Sequence, residues 1–337
     1  MNSTALPSAA ASTASRHPAA RFAAPLLRHA PLVLFVLVIL TFCILSPGFR
    51  TMSNVRNILV QSSSVAIVAT GMTFVLLTAG IDLSVGAIMF VSAAVAGRLV
   101  LGGWIPGLEV IPVWLAVLLI VPLGLACGAV NALLIAGLRM MPFVVTLATL
   151  FVGRGLALHI TETRALNLPP SFLAIGQSTV AGVPFPVLLL AAVLIVGQLL
   201  LSRTPFGRQL YALGNNPDAA RKAGLPTTRL LAVVYLISGL CAALGGIVSV
   251  AQLGAVSPTF GNQREFAAIA AAVLGGTSLF GGRGSVLPGA LLGAVLVQSV
   301  ETGLNMIDAD PYSYPVVVGA IIFLAVLIDR LRAARWT

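Results

Sequence analysis

Apolar runs long enough to cross a bilayer recur from residue 31 to residue 329, separated by short connections. A helix needs about 20 apolar residues to span the hydrocarbon core. Runs near 31–47, 61–80, 83–101, 113–137, 142–160, 184–202, 230–251, 266–281, 285–304 and 313–329 approach that length. The expected fold is an all-α integral membrane protein of about ten transmembrane helices. Charge supports this: only 8% of residues are Asp, Glu, Lys or Arg, against about 25% in soluble domains, so most of the surface has to face lipid. Two pairs, 61–80 with 83–101 and 266–281 with 285–304, are joined by glycine turns so tight that half-penetrating helices are the alternative. The amphipathic stretch 50–60 is expected to lie at the membrane surface.

Basic residues orient such a chain, because cytoplasmic loops retain an excess of Lys and Arg. With the N-terminus inside, the internal segments hold thirteen basic residues, among them Arg16, Arg139, Arg208, Arg283 and Arg332. The external side holds five: Arg50, Arg56, Arg98, Arg164 and Arg264. Both termini are therefore expected in the cytoplasm. Residues 1–29, rich in Ala, Ser, Thr and Pro, have too few large apolar side chains to fold and are read as a disordered tail. They could instead lead a signal peptide with 31–45 as its apolar core, but no small-x-small cleavage pattern follows, so a retained first helix is expected. One transmembrane domain then covers 30–331, with a cytoplasmic loop at 203–229 and a tail at 332–337.

The net charge of +10 suggests nucleic acid only on a soluble protein. No basic stripe with interleaved aromatics appears here, and no nucleic-acid partner is expected. Cys43, Cys127 and Cys241 are scattered inside apolar runs, which argues against disulfides and metal sites. No His-rich cluster exists, and no pairing of carboxylates or Ser/His/Asp set suggests catalysis.

The longest polar interval, RTPFGRQLYALGNNPDAARKAGLPTTR at 203–229, contains a full set of helix signals. Asn216 can cap, Pro217 suits the first helical position and Gly224 can close the end. Asp218 lies near the positive pole, Arg221 and Lys222 near the negative one, and Pro226 prevents continuation. A helix of about two turns is marginal in water, so it needs a surface to dock on. Ala219, Ala220, Ala223 and Gly224 are small enough to allow a partner close. An ordinary basic loop is the plainer alternative.

In 70–87 (TGMTFVLLTAGIDLSVGA), Asp82 is the only acidic residue of the first hundred. A carboxylate at the edge of a span is costly and usually paired or functional. Two roles are open: a cap for the next helix, or a direct part in gating or the substrate path. In 265–289 (EFAAIAAAVLGGTSLFGGRGSVLPG) the glycines permit tight turns and close packing. A phosphate-cradling loop is excluded, since no strand precedes it and no Gly-Lys-Ser/Thr closes it. Gly80–Ala87 faintly echoes Gly282–Ala290, as two turns on the same side. Asn131, Thr146, Thr149, Arg154, Glu301 and Asn305 are polar groups in or ending spans, able to line a cavity or join helices.

Four segments, in order and spacing, carry a resemblance: AGIDLSVG at 79–86, PFVVTLATLFVGRG at 142–155, RTPFGRQLYALGNNPDAARKAGL at 203–225 and EFAAIAAAVLGGTSLFGGRG at 265–284. Together they resemble the permease subunits of ribose-type ABC sugar importers, from about Ile58 to Arg330. The resemblance implies a non-enzymatic transport subunit of the bacterial inner membrane. Its partners would be an ABC ATPase, a periplasmic sugar-binding protein and a second permease copy, identical or not. No cofactor is expected on this chain, with ATP and Mg held by the ATPase. By that analogy the ATPase docks at Asn216, Pro217, Ala219, Ala220, Arg221, Ala223 and Gly224. Asp82, Asn131, Thr146, Thr149 and Glu265 are the candidates for gating or the sugar path, which the resemblance places between the two copies.

One departure stands out. The family usually reads Glu-Leu-Asp-Ala-Ile-Ala where this chain has Glu265-Phe266-Ala267-Ala268-Ile269-Ala270. Glu265 carries over and the Asp does not, which implies a different rule for gate or substrate there. The rival readings are an ion-coupled secondary transporter, for which Asp82 and Glu301 are the only carboxylate candidates, and an ABC permease for a non-sugar furanosyl signalling molecule.

Overall fold

The computed structural model describes residues 30–107, 110–310 and 312–333. The readings of residues 1–29 and of the last four residues lie outside these. The described chain is helical apart from turns and two small antiparallel sheets.

In chain order the helices are α1 (Ala30–Leu45), α2 (Met52–Leu77), α3 (Val85–Leu101), α4 (Val113–Ala132), α5 (Pro142–Thr161), α6 (Pro170–Gln177), α7 (Phe185–Arg203), α8 (Pro205–Asn215), α9 (Pro217–Lys222), α10 (Thr227–Leu253), α11 (Arg264–Leu274), α12 (Leu291–Met306) and α13 (Ser313–Ala333). A wide π-turn extends α4 through Leu133–Gly137, and a kinked segment, Val286–Ala290, extended at Leu287, leads into α12. Six of these segments are long and apolar enough to cross a membrane, and α1, α3 and α13 contain shorter apolar stretches. Among the described residues these account for nine of the ten expected spans, and the tenth, 266–281, is represented by the half-length α11.

The bundle is built around α2, which is buried without interruption from Ser62 to Leu77. Its 26 residues make a rod of about 39 Å, longer than the hydrocarbon core of about 30 Å. α10 packs along both α2 and α4. The α4–α10 seam depends on small residues: a Cβ on Gly128 would collide with the carbonyl of Tyr235, and one on Gly124 would sit 2.8 Å from the carbonyl of Gly239. Without a hydrophobic drive between helices in lipid, such close backbone approach is what holds them together. The outer helices expose large apolar side chains, including Leu118 on α4, Phe151 on α5 and Val196 on α7, as a lipid-facing surface requires.

One expectation needs correction, and another gains detail. Most of the stretch 50–60 is exposed and forms the start of α2. Thr51 caps α2 by accepting from the Asn54 amide at 3.3 Å, and the helix runs unbroken into the core. The expected span 266–281 is helical only to Leu274. Gly275 and Gly276 end it, and an irregular stretch leads on to Ser285. Non-helical backbone at membrane depth survives only where protein satisfies it. Here the Gly282 amide donates to Leu77 O at 2.9 Å, Ser278 N to Arg283 O at 2.8 Å, and Leu287 N to Gln198 Oε1 of α7 at 2.9 Å. The other doubtful pair, α2 and α3, is made of two extended helices joined by a turn at 78–84.

At the opposite end of the bundle, β1 (Leu166–Asn167) pairs with β4 (Ala255–Val256) and β2 (Thr179–Val180) with β3 (Val183–Pro184). Arg98 ties α3 to α5 there, with Nε donating to Ile160 O at 2.6 Å and Nη2 paired with Glu162 at 2.7 Å.

Candidate functional site

Residues 203–229 form two helices rather than one. α9 has the terminal chemistry its sequence encodes. Asn216 Oδ1 accepts from the Ala219 amide at 2.9 Å, and Pro217 occupies the first position. At the other end Gly224 takes φ +77, Gly224 N donates to Arg221 O at 3.0 Å, and Leu225 N donates to Ala220 O at 3.1 Å. That pair of bonds closes the helix by a left-handed glycine, with an apolar contact across it. Leu225, Ala220, Leu213 and Leu230 share a small apolar cluster. Ala220 therefore points into the protein, whereas Pro217, Ala219, Arg221, Ala223 and Gly224 are exposed. Of the small residues expected to face a partner, three lie on the accessible side.

α8 precedes it and was not read from the sequence, although Thr204 caps it through the Gly207 amide at 3.3 Å and Pro205 starts it. Its buried side carries Gly207, Leu210, Leu213 and Gly214. Gly214 lies directly on the carbonyl of Leu77, at the end of α2, and on the amide of Gly282. Tyr211 Oη donates to Gly284 O at 2.7 Å. The glycines of 281–284 thus form a seat for α8, and the same seat is bonded to the end of α2. The two turns that echo each other in sequence, after α2 and before α12, touch here.

Next to that seat lies the turn carrying Asp82, which is fully buried. Its Oδ1 accepts from Ser84 N at 2.9 Å and Ser84 Oγ at 2.6 Å, and its Oδ2 accepts from Ser238 Oγ at 2.7 Å. Asn131 Nδ2 donates to Ser84 Oγ at 2.8 Å, and Thr146 Oγ1 donates to Ile81 O at 3.2 Å. Three residues from three different segments converge on one turn, joining α10, α4 and α5 to the start of α3. Both carboxylate oxygens are engaged, the geometry of a cap and a clamp. Thr149 does not join them; its hydroxyl bonds only within its own helix, to Val145 O and Thr146 O.

Glu265 also stands apart. It lies in the first turn of α11, is 5% exposed, and rests its carboxylate against Gly86 of α3. Glu265 Oε2 and Arg154 Nη2 are buried and without hydrogen-bond partners among the described residues. The Arg154 guanidinium lies 6.0 Å from the centre of the Phe90 ring. Ala267, at the departure from the usual pattern, is half-buried. Among the described residues no group of three or more His, Cys, Asp or Glu side chains comes together to hold a metal.

A polar cleft of about 390 Å³ opens at the other end of α2. Its amide side chains were not singled out in the sequence, because they come from helices far apart along the chain.

Residues 54–327 match the family described as branched-chain amino acid transport system / permease component. The ribose import permease protein RbsC of Bacillus subtilis is 40% identical over 304 residues, covering 89% of this chain and 92% of that protein. The D-allose transport system permease protein AlsC of Escherichia coli is 36% identical over 306 residues, with 90% and 92% covered. The fructose import permease protein FrcC of Rhizobium meliloti is 37% identical over 311 residues, with 89% and 84% covered. No solved structure matches the chain. With relatives this similar along nearly their whole length, and with apolar helices throughout, the chain belongs to the ribose-type ABC importer permease family, as a multi-pass protein of the bacterial inner membrane.

Proposed function

We propose that this permease passes a monosaccharide, a pentose or hexose, from a periplasmic binding protein to the cytoplasm. The observation that carries this is the set of relatives, which are import or transport permeases named for ribose, allose, fructose and xylose. ATP and Mg are held by a separate ABC ATPase, and the exposed side of α9 is where that ATPase docks. A short helix capped at both ends, and seated through α8 on the end of α2, supports that assignment. The excess of basic residues supports a cytoplasmic side for α8, α9 and both termini, with the cleft on the periplasmic side. A second permease copy completes the membrane unit. Closure of the ATPase pair moves α9, and α8 carries the motion to the ends of α2 and α12.

The test is co-purification with the ATPase and binding protein, then ATP hydrolysis in nanodiscs across a panel of sugars. Leucine belongs in the panel, because the matched family is described by branched-chain amino acids. Stimulation by one sugar-loaded binding protein supports the reading and names the substrate. Stimulation by leucine alone, or uptake driven by an ion gradient without ATP, overturns it.

A further inference from the structure

We infer that each copy of this permease holds a sugar-binding subsite within its own helices, in the cleft at the end of α2 remote from α8. This rests on the monosaccharide reading and gives that sugar a place inside one copy, not only on a seam between two.

The cleft is lined by α2, α10 and α12, with contributions from α6 and from Arg264 at the start of α11. Its side chains are linked amides. Gln298 Nε2 donates to Gln61 Oε1 at 3.0 Å, and Gln61 Nε2 donates to Asn57 Oδ1 at 2.8 Å. Gln252 Nε2 donates to Val60 O at 2.8 Å. Gln298 is only 4% exposed. Gln61 is held at both ends, whereas Gln298 and Gln252 are held through the amide nitrogen and Asn57 through its oxygen, each keeping hydrogen-bonding capacity at the other end. Among the described residues no partner is taken by Gln298 Oε1, Gln252 Oε1 or Asn57 Nδ2. Arg264 and Glu301 also line the cleft and form no ion pair with each other there.

The ligand follows from this chemistry. Buried polar groups cost free energy unless they are bonded, so an apolar solute would strand every amide in the cleft. A lone ion would be met mainly by neutral groups. A polyol suits all of them, because each hydroxyl donates one bond and accepts others, matching acceptors from Gln298 and Gln252 and a donor from Asn57. The amides are fixed by their neighbours before any ligand arrives, which reduces the ordering cost of binding. The volume lies within the range of small-molecule sites, about 300–1,000 Å³.

The experiment uses the whole importer in proteoliposomes, with its ATPase and loaded binding protein at saturation. Initial uptake is measured for a pair of sugars differing at one hydroxyl, ribose and xylose or allose and glucose, whichever pair the importer carries. Gln298→Leu and Gln61→Leu remove one amide each. We expect each to change the uptake ratio between the two epimers at least fivefold. A purely structural role would lower both uptakes by the same factor and leave the ratio where it was. An unchanged ratio in both variants overturns the subsite. If Gln298→Leu does not assemble with the ATPase, Gln61→Leu, on the exposed side of α2, decides alone. Wild-type uptake that needs neither ATPase nor binding protein overturns the importer reading itself, a result distinguishable from an unmoved ratio.

Discussion

Gly214→Ala should detach α8 from the membrane bundle while leaving α9 folded. The added methyl would meet the carbonyl of Leu77 and come within 2.5 Å of the Gly282 amide. Both obstacles are backbone, so no side chain can swing aside. α8 must lift, and its rise pulls on the 2.9 Å bond between Gly282 N and Leu77 O. Overpacking of this kind costs about 1–3 kcal/mol, and a lost neutral hydrogen bond about 0.5–1.5 kcal/mol. The sum, about 1.5–4.5 kcal/mol, lowers the docked population about 10-fold to 1,600-fold, since each 1.4 kcal/mol is a factor of ten. Hydrogen exchange in nanodiscs should show amide protection in 205–215 falling by a factor in that range, with α10 unaffected, and ATP-driven uptake should fall with it. Unchanged protection together with wild-type uptake would refute the idea that α8 is seated on the end of α2.

Four further outcomes follow from the same geometry. Asn216→Ala removes the cap of α9, worth about 1 kcal/mol, and should weaken ATPase binding about fivefold in a pull-down titration. Gly224→Asp forces a side chain into a left-handed position at φ +77 and adds charge to the exposed face; membrane insertion should persist while uptake is abolished. Asp82→Leu leaves the Ser84 amide and the Ser84 and Ser238 hydroxyls without their acceptor, at about 1–3 kcal/mol per group left buried and unpaired, so folded yield should drop sharply with epimer preference unmoved. Normal yield with altered preference would give Asp82 a place in the sugar path. Burial pushes the Tyr211 phenol above its ordinary value, so its bond to Gly284 is fully present at neutral pH and is lost as pH rises beyond about 10; α8 protection should be flat across neutral pH and decline only in strong alkali.

Local signals were legible where they were complete. Asn216, Pro217 and Gly224 encode the start and stop of α9, and the structure uses all three. Thr204-Pro205 makes the same kind of start for α8, a signal passed over in reading 203–229 as a polar loop with one helix. What makes α8 a helix is its docking side, Leu210, Leu213 and Gly214, and that cannot be seen without the glycine seat from 281–284. Gly275-Gly276 was read as permitting either a tight turn or close packing, and the structure uses it as a turn that ends the helix, because glycine serves both purposes. Asp82, Asn131 and Thr146 were singled out separately as polar groups near membrane depth, and the fold brings them to one turn. Thr149, one helical turn from Thr146, was singled out on the same ground and bonds only to its own helix. The cleft was least legible, since its amides lie near positions 60, 250 and 298 and only packing places them together.

The two ends of the molecule share one element. Gln61 in the cleft and Leu77 in the α8 seat both belong to α2, 16 residues or about 24 Å apart along the helix. Between them α2 is buried on every side, so it cannot bend into solvent and has to move as a piece against α10 and α12. Under the proposed function, a motion delivered through Gly214 to Leu77 then shifts Gln61 relative to Gln298 and opens their 3.0 Å bond. That is a coupling claim, and intermediate position alone does not establish it. A double-mutant cycle does. At this separation, independent sites add within about 0.3–0.5 kcal/mol. Gly214→Ala and Gln61→Leu, measured singly and together by ATP-driven uptake, should depart from additivity by more than that, with the second substitution costing less once the first has uncoupled the rod. Strict additivity would mean that α2 does not transmit the motion, and that cleft and seat are worked by different helices.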